Sequence, residues 1–130
     1  MKDSVDYAIT AHPSIFVGKK PVAVFLGDER VPVKKWTSVY TVILQRCAQD
    51  QIYYERLMYF RNKLAGKIRV FISNKPDGMT RQVEICDGLY GETHYGSQTL
   101  MHILVNIILK AIRYDTSTIR VEVRISMSTG

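Results

Sequence analysis

Only two cysteines, Cys47 and Cys86, occur in the 130 residues. A scaffold stapled by several disulfides is therefore excluded; one bridge or two reduced thiols remain, and two buried thiols in a reducing cytoplasm are the expectation. Neither G-x-x-x-x-G-K-[ST] nor G-x-G-x-x-G is present, so the usual phosphate-cradling loops are absent. Gly88, Gly91 and Gly96 precede the last helical pattern without forming either. No cysteine or histidine pair has a ligand spacing such as C-x2-C or H-x3-H, and Cys47, Cys86, His94 and His102 do not form a ligand motif. No metal and no cofactor is expected. The C2H2 and RNP1 signatures are also missing. The first ten residues contain no long apolar run, so no signal peptide is read there. The apolar stretch 100–112 is interrupted by His102, Asn106 and Lys110, too short and too polar to cross a bilayer. A cytoplasmic protein without a membrane partner is the expectation.

What is present is an ordinary globular composition, 46% apolar and 23% charged, at a length that buries a substantial core. The net charge is +6 and its distribution is uneven. Arg56, Arg61, Lys63, Lys67, Arg69, Lys75 and Arg81 share their segment with a single acid, Asp77. That segment carries the whole excess and the rest of the chain is neutral.

Residues 1–20 have weak periodicity and read as an N-terminal arm, with a short strand around 14–17. Two β-rich runs, 22–26 and 30–34, flank Gly27-Asp28-Glu29 as a hairpin, and Pro32 confines its strand to an edge. Thr37 or Ser38 can cap a helix carrying Val39, Tyr40, Ile43, Leu44 and Cys47. Asp50 can cap a second helical segment, with Ile52, Tyr53, Leu57, Phe60 and Leu64 as its stripe and Gly66 as its stop. One kinked helix or two helices fit equally. Residues 68–73 and 81–86 read as strands around the turn 74–78, and Asp87-Gly88 turns into a strand over 89–94. Ser97 is the expected cap of the last helix. Its polar residues His102, Asn106, Lys110 and Arg113 form one narrow stripe, so a helix this apolar must be covered on two sides. Residues 119–125 alternate as a half-buried strand.

The order is ββ-α(α)-βββ-α-β. It implies an α+β fold with a mainly antiparallel sheet of five to six strands and two to three helices on one face. The domain is expected over 21–126, with 127–130 as a tail. From the hairpin through VKKWTSVYTVIL to CDGLYGETHYGSQTLMHILVNIILK and the last strand, the chain resembles a small uncharacterised domain of bacteria. That domain occurs alone or appended to proteins of restriction, phage-defence and mobile-element type. Gly91 departs from its pattern, which favours a β-branched residue. The resemblance implies an accessory role near nucleic-acid metabolism and brings no site residues with it.

Three surfaces are candidates. The seven cations of 56–81 can contact phosphates, with Tyr59 or Phe60 stacking on bases; a solvated helix face is the plainer reading. Glu92 and His94, two apart in a strand, share a face and can act as an acid/base pair, or simply satisfy a strand-to-helix corner. Leu100, Ile103, Leu104, Ile107 and Ile108 can form a homo-oligomer interface, or be buried within one chain. A non-enzymatic interaction module that binds nucleic acid or an acidic protein through 56–81 is the expectation. A small-ligand binder or enzyme built on Glu92 and His94 is the alternative.

Overall fold

A computed structural model describes residues 4–65 and 70–124 and shows an α+β fold with two antiparallel sheets where one was expected. The first sheet joins β1 (Ser4–Ala8), β2 (Lys20–Leu26), β3 (Glu29–Pro32) and β7 (Ile119–Arg124) in the order β1-β7-β2-β3. The second joins β4 (Ile72–Ser73), β5 (Gln82–Cys86) and β6 (Leu89–Glu92) in the order β4-β6-β5. The helices are α1 (Trp36–Ala48), α2 (Gln51–Phe60) and α3 (Ser97–His102), and α3 continues into a π-helical segment, Ile103–Leu109.

The strands follow their side-chain alternation. In β7, Ile119, Val121 and Val123 are buried while Arg120 and Arg124 face solvent. β2 turns into β3 through Gly27, whose φ of 65° suits a two-residue hairpin loop. Pro32 does lie on an edge strand, paired only with β2. Beyond those runs, tertiary pairing decides. The N-terminal segment is not an arm: β1 adds to β7, Ser4 opposite Arg124 through Ala8 opposite Arg120. In place of a strand at 14–17 there is a 3-10 turn, Pro13–Phe16, with Phe16 fully buried. The segment before the turn 74–78 pairs with β6, not with β5, so β6 is the central strand. The tail 127–130 and Gly66 lie outside the described residues.

α1 packs on both sheets, touching β2 and β5, and also contacts α2 and α3. Val39, Tyr40, Ile43, Leu44 and Cys47 make its buried face. Each such side chain contributes about 1.5–3 kcal/mol when withdrawn from water. Asp50 separates α1 from α2 by accepting the Ile52 N–H at 2.9 Å, so the two segments are distinct helices. Lys35 and Gly96, rather than Thr37, Ser38 or Ser97, occupy the other cap positions, and neither makes a side-chain cap bond. Tyr40 presses against Gly91 in β6, which explains why that position is a glycine.

Candidate functional site

The outward face of α2 is built by spacing. Ile52, Arg56, Tyr59 and Lys63 follow each other by four, three and four residues, so they line up along the helix and its exit. All four are exposed: Ile52 by 58% and Tyr59 by 62%, two of the three large hydrophobics exposed among the described residues. The opposite side is held by Leu57, fully buried, with Tyr53, Met58, Phe60 and Leu64 packed partly against the core. Lys63 Nζ stands 3.5 Å from the centre of the Tyr59 ring, and Phe60 meets that ring edge-on with centroids 5.0 Å apart.

The chain leaves α2 through Asn62, whose φ of 63° is left-handed. Asn62 donates its N–H to Ile72 O at 2.8 Å and its Nδ2 to Asn74 Oδ1 at 2.9 Å. These bonds set the turn carrying Arg61 and Lys63 beside Lys75. At the other end of the face, the Arg56 guanidinium lies 5.3 Å from the Tyr53 ring and donates Nη1 to Ile112 O at 2.9 Å. Arg113, exposed, is the next residue along. The basic segment of the sequence omits Arg113; its signal is the polar stripe of the last helix, which ends there.

Of the seven expected cations, Arg56 and Lys63 lie along this face, Arg61 is the half-buried residue that ends α2, and Lys75 follows Asn74, which Asn62 holds. Arg81 stands apart, next to Gln82 and the Glu92 end of β6, whereas Lys75 follows Ser73 and the Tyr90 end. Lys67 and Arg69 lie outside the described residues. The described ion pairs, Arg30–Glu122, Arg46–Glu29 and Arg120–Asp6, leave Arg56, Arg61, Lys63, Lys75 and Arg81 without a carboxylate partner among the described residues. Glu55, exposed and hydrogen-bonded by Gln51 Nε2 at 3.0 Å, is the acid nearest in sequence.

Glu92 and His94 part company at the end of β6. Glu92 is fully buried and its carboxylate accepts the backbone N–H groups of Thr80 at 2.7 Å, Arg81 at 2.9 Å and His94 at 3.0 Å. His94 is exposed. The carboxylate thus ties the 80–81 segment to the strand-to-helix corner and meets the main chain of His94.

The last helix is covered from within its own chain. Leu100, Leu104 and Ile108 are fully buried and Ile103 is 2% exposed; Ile107 is half-buried. α3 packs on the 3-10 turn and on α1, and the burial of Leu104 and Ile108 within the single chain shows that the π segment after it is covered as well. The polar stripe of His102, Asn106 and Lys110 runs across the π segment, which begins after His102 and ends before Lys110. All three are exposed, and Asn106 Nδ2 lies 3.1 Å from His102 Nδ1.

Two shallow grooves lie among the described residues. One, of about 320 Å³, lies between the 3-10 turn and α3 and is lined by His12, Pro13, Gln98, Thr99 and His102. The other, of about 580 Å³, lies over the outer face of the first sheet, where Asp6, Arg120 and Glu122 already neutralise one another with Arg30. Among the described residues no three metal-ligating side chains converge, and no helix is long and apolar enough to cross a membrane. Both thiols are free; burial pushes Cys47 up to about 12 and raises Cys86 as well. No family model, no curated protein and no solved structure matches the chain.

Proposed function

We propose that the chain is a non-enzymatic binding module that meets a nucleic acid through the outward face of α2 and the turn that follows it. The observation that carries this is the company kept by Tyr59. An aromatic ring exposed by 62% carries the Lys63 ammonium over its face, shares its stripe with Arg56, and is followed by Arg61 and by the Asn62–Asn74 bond that leads to Lys75; no described carboxylate neutralises these charges. Uncompensated cations attract a phosphate backbone irrespective of sequence and release its counterions on contact. The resemblance to a bacterial domain of restriction, phage-defence and mobile-element proteins supports the same reading. Glu92 takes a structural part in it, since its carboxylate serves three backbone donors.

The test is a titration of labelled random-sequence DNA or RNA at several salt concentrations. Four phosphate contacts give a log–log salt slope of roughly −3 to −4. Reversing Arg56, Arg61, Lys63 and Lys75 to Glu removes the binding. An absence of binding at low salt refutes the proposal. Retention of affinity by an acidic polypeptide, with none for nucleic acid, assigns the surface to an acidic protein instead.

A further inference from the structure

We infer that the nucleic acid is single-stranded, with a base stacked on Tyr59 and its neighbouring phosphates held by Arg61, Lys63 and Lys75. This rests on the proposed function and adds to it the form of the ligand. In a duplex the base faces are already stacked on one another, so a protruding ring has nothing to cover; an unpaired base presents its face freely. The Tyr59 ring is fixed in place by the edge of Phe60, itself half-buried against the core, so stacking does not have to order a loose side chain. Lys63 covers only one side of the ring, and its long stem lets the ammonium slide from the ring to a phosphate. Lys63 lies over the ring, Arg61 follows it at the helix exit, and Asn62 ties that exit to Asn74, the neighbour of Lys75. This is the order a strand needs: base on the aromatic, backbone along the charge.

Fluorescence anisotropy with a labelled oligothymidylate, a duplex of equal length and a polyglutamate competitor tests the inference. The oligothymidylate binds at least tenfold more tightly than the duplex. Tyr59→Ala weakens it by about tenfold or more while leaving the salt slope unchanged, and Tyr59→Phe retains the affinity. Lys63→Gln instead lowers the slope by about 0.7. The exposed position of Tyr59 leaves the fold intact, which the emission of the chain's one tryptophan, Trp36, verifies. Equal affinity for duplex, or an unchanged affinity in Tyr59→Ala, overturns the single-strand inference and leaves the nucleic-acid reading standing. If neither oligonucleotide binds at low salt, the broader reading fails first.

Discussion

Tyr40 fills the space that a side chain at Gly91 would need: a Cβ built there would lie 2.5 Å from Tyr40 Oη and 2.8 Å from Cε1. Gly91 sits in the central strand of the second sheet, and α1 delivers the phenol ring onto it. Gly91→Ala should therefore destabilise the chain by about 1–3 kcal/mol through overpacking, and Gly91→Val by more. The Tyr40 hydroxyl is buried with no hydrogen-bond partner among the described residues. Tyr40→Phe removes that unsatisfied group and should stabilise by about 1 kcal/mol. In the double variant, Tyr40→Phe should relieve only part of the Gly91→Ala penalty, because ring carbons still crowd the new methyl. Urea unfolding of the four chains measures both effects; a destabilised Tyr40→Phe would show that the hydroxyl has a partner after all.

Glu92 carries a second prediction. Its two oxygens accept three backbone donors in a fully buried setting, and bonds to a carboxylate contribute about 1.5–3 kcal/mol each. Gln in its place keeps one acceptor oxygen and turns an amide group toward donors. Glu92→Gln should cost about 2–3 kcal/mol, and amide hydrogen exchange at Thr80 and Arg81 should accelerate more than at Ile43 in α1. Uniform acceleration, following global stability alone, would contradict the local role.

How much of this can be read in the sequence depends on whether the deciding interaction is local. The β2–β3 hairpin, the edge position of Pro32, the Asp50 cap and the alternation of β7 are set by neighbours in the chain, and they are where the residues point. The docking of β1, the division into two sheets and the central place of β6 depend on partners far away, so periodicity does not distinguish them. The Glu92–His94 spacing assumes a strand running through both; the strand stops at Glu92, and the two side chains diverge. The basic segment is visible as composition. Its division, with Arg81 away from Lys75, comes from β4 pairing with β6.

Burial of two acids fixes how stability should depend on alkaline pH. Desolvation raises Cys47 to about 12 from an ordinary thiol value of 9.0, and raises Tyr40 from 10.0 for the same reason, with Tyr95 and Glu92 adding to it. Each group holds its proton more tightly when folded than when unfolded. The Cys47 contribution is thus complete below pH 9 and is lost as pH rises from 9 toward 12, whereas that of Tyr40 begins to be lost only above pH 10. Each should steepen the loss by up to about 1.4 kcal/mol per pH unit within its window. Unfolding free energy measured between about pH 8 and 11 should fall, and Cys47→Ala should flatten the slope from about pH 9 upward even though it lowers stability at about pH 7. A slope that ignores Cys47 would mean the thiol ionises as readily in the folded chain as in the unfolded one.

The N-terminal segment offers the sharpest contrast between an arm and an integral part of the fold. Phe16 is fully buried, its ring centre 5.1 Å from that of Trp36 and 6.2 Å from that of Tyr7. The Trp36 indole N–H donates to Lys19 O at 2.8 Å, which closes the segment over the start of α1. Phe16→Ala should cost about 3–5 kcal/mol, the range for a large aromatic removed from a core. Trp36→Phe, which keeps the ring contact but loses the hydrogen bond, should cost about 1 kcal/mol. Because Phe16 and Trp36 touch, the two losses should not add, and the double variant should fall short of their sum. A free arm predicts the opposite on every count: negligible change in Phe16→Ala, and tryptophan emission that does not respond to it.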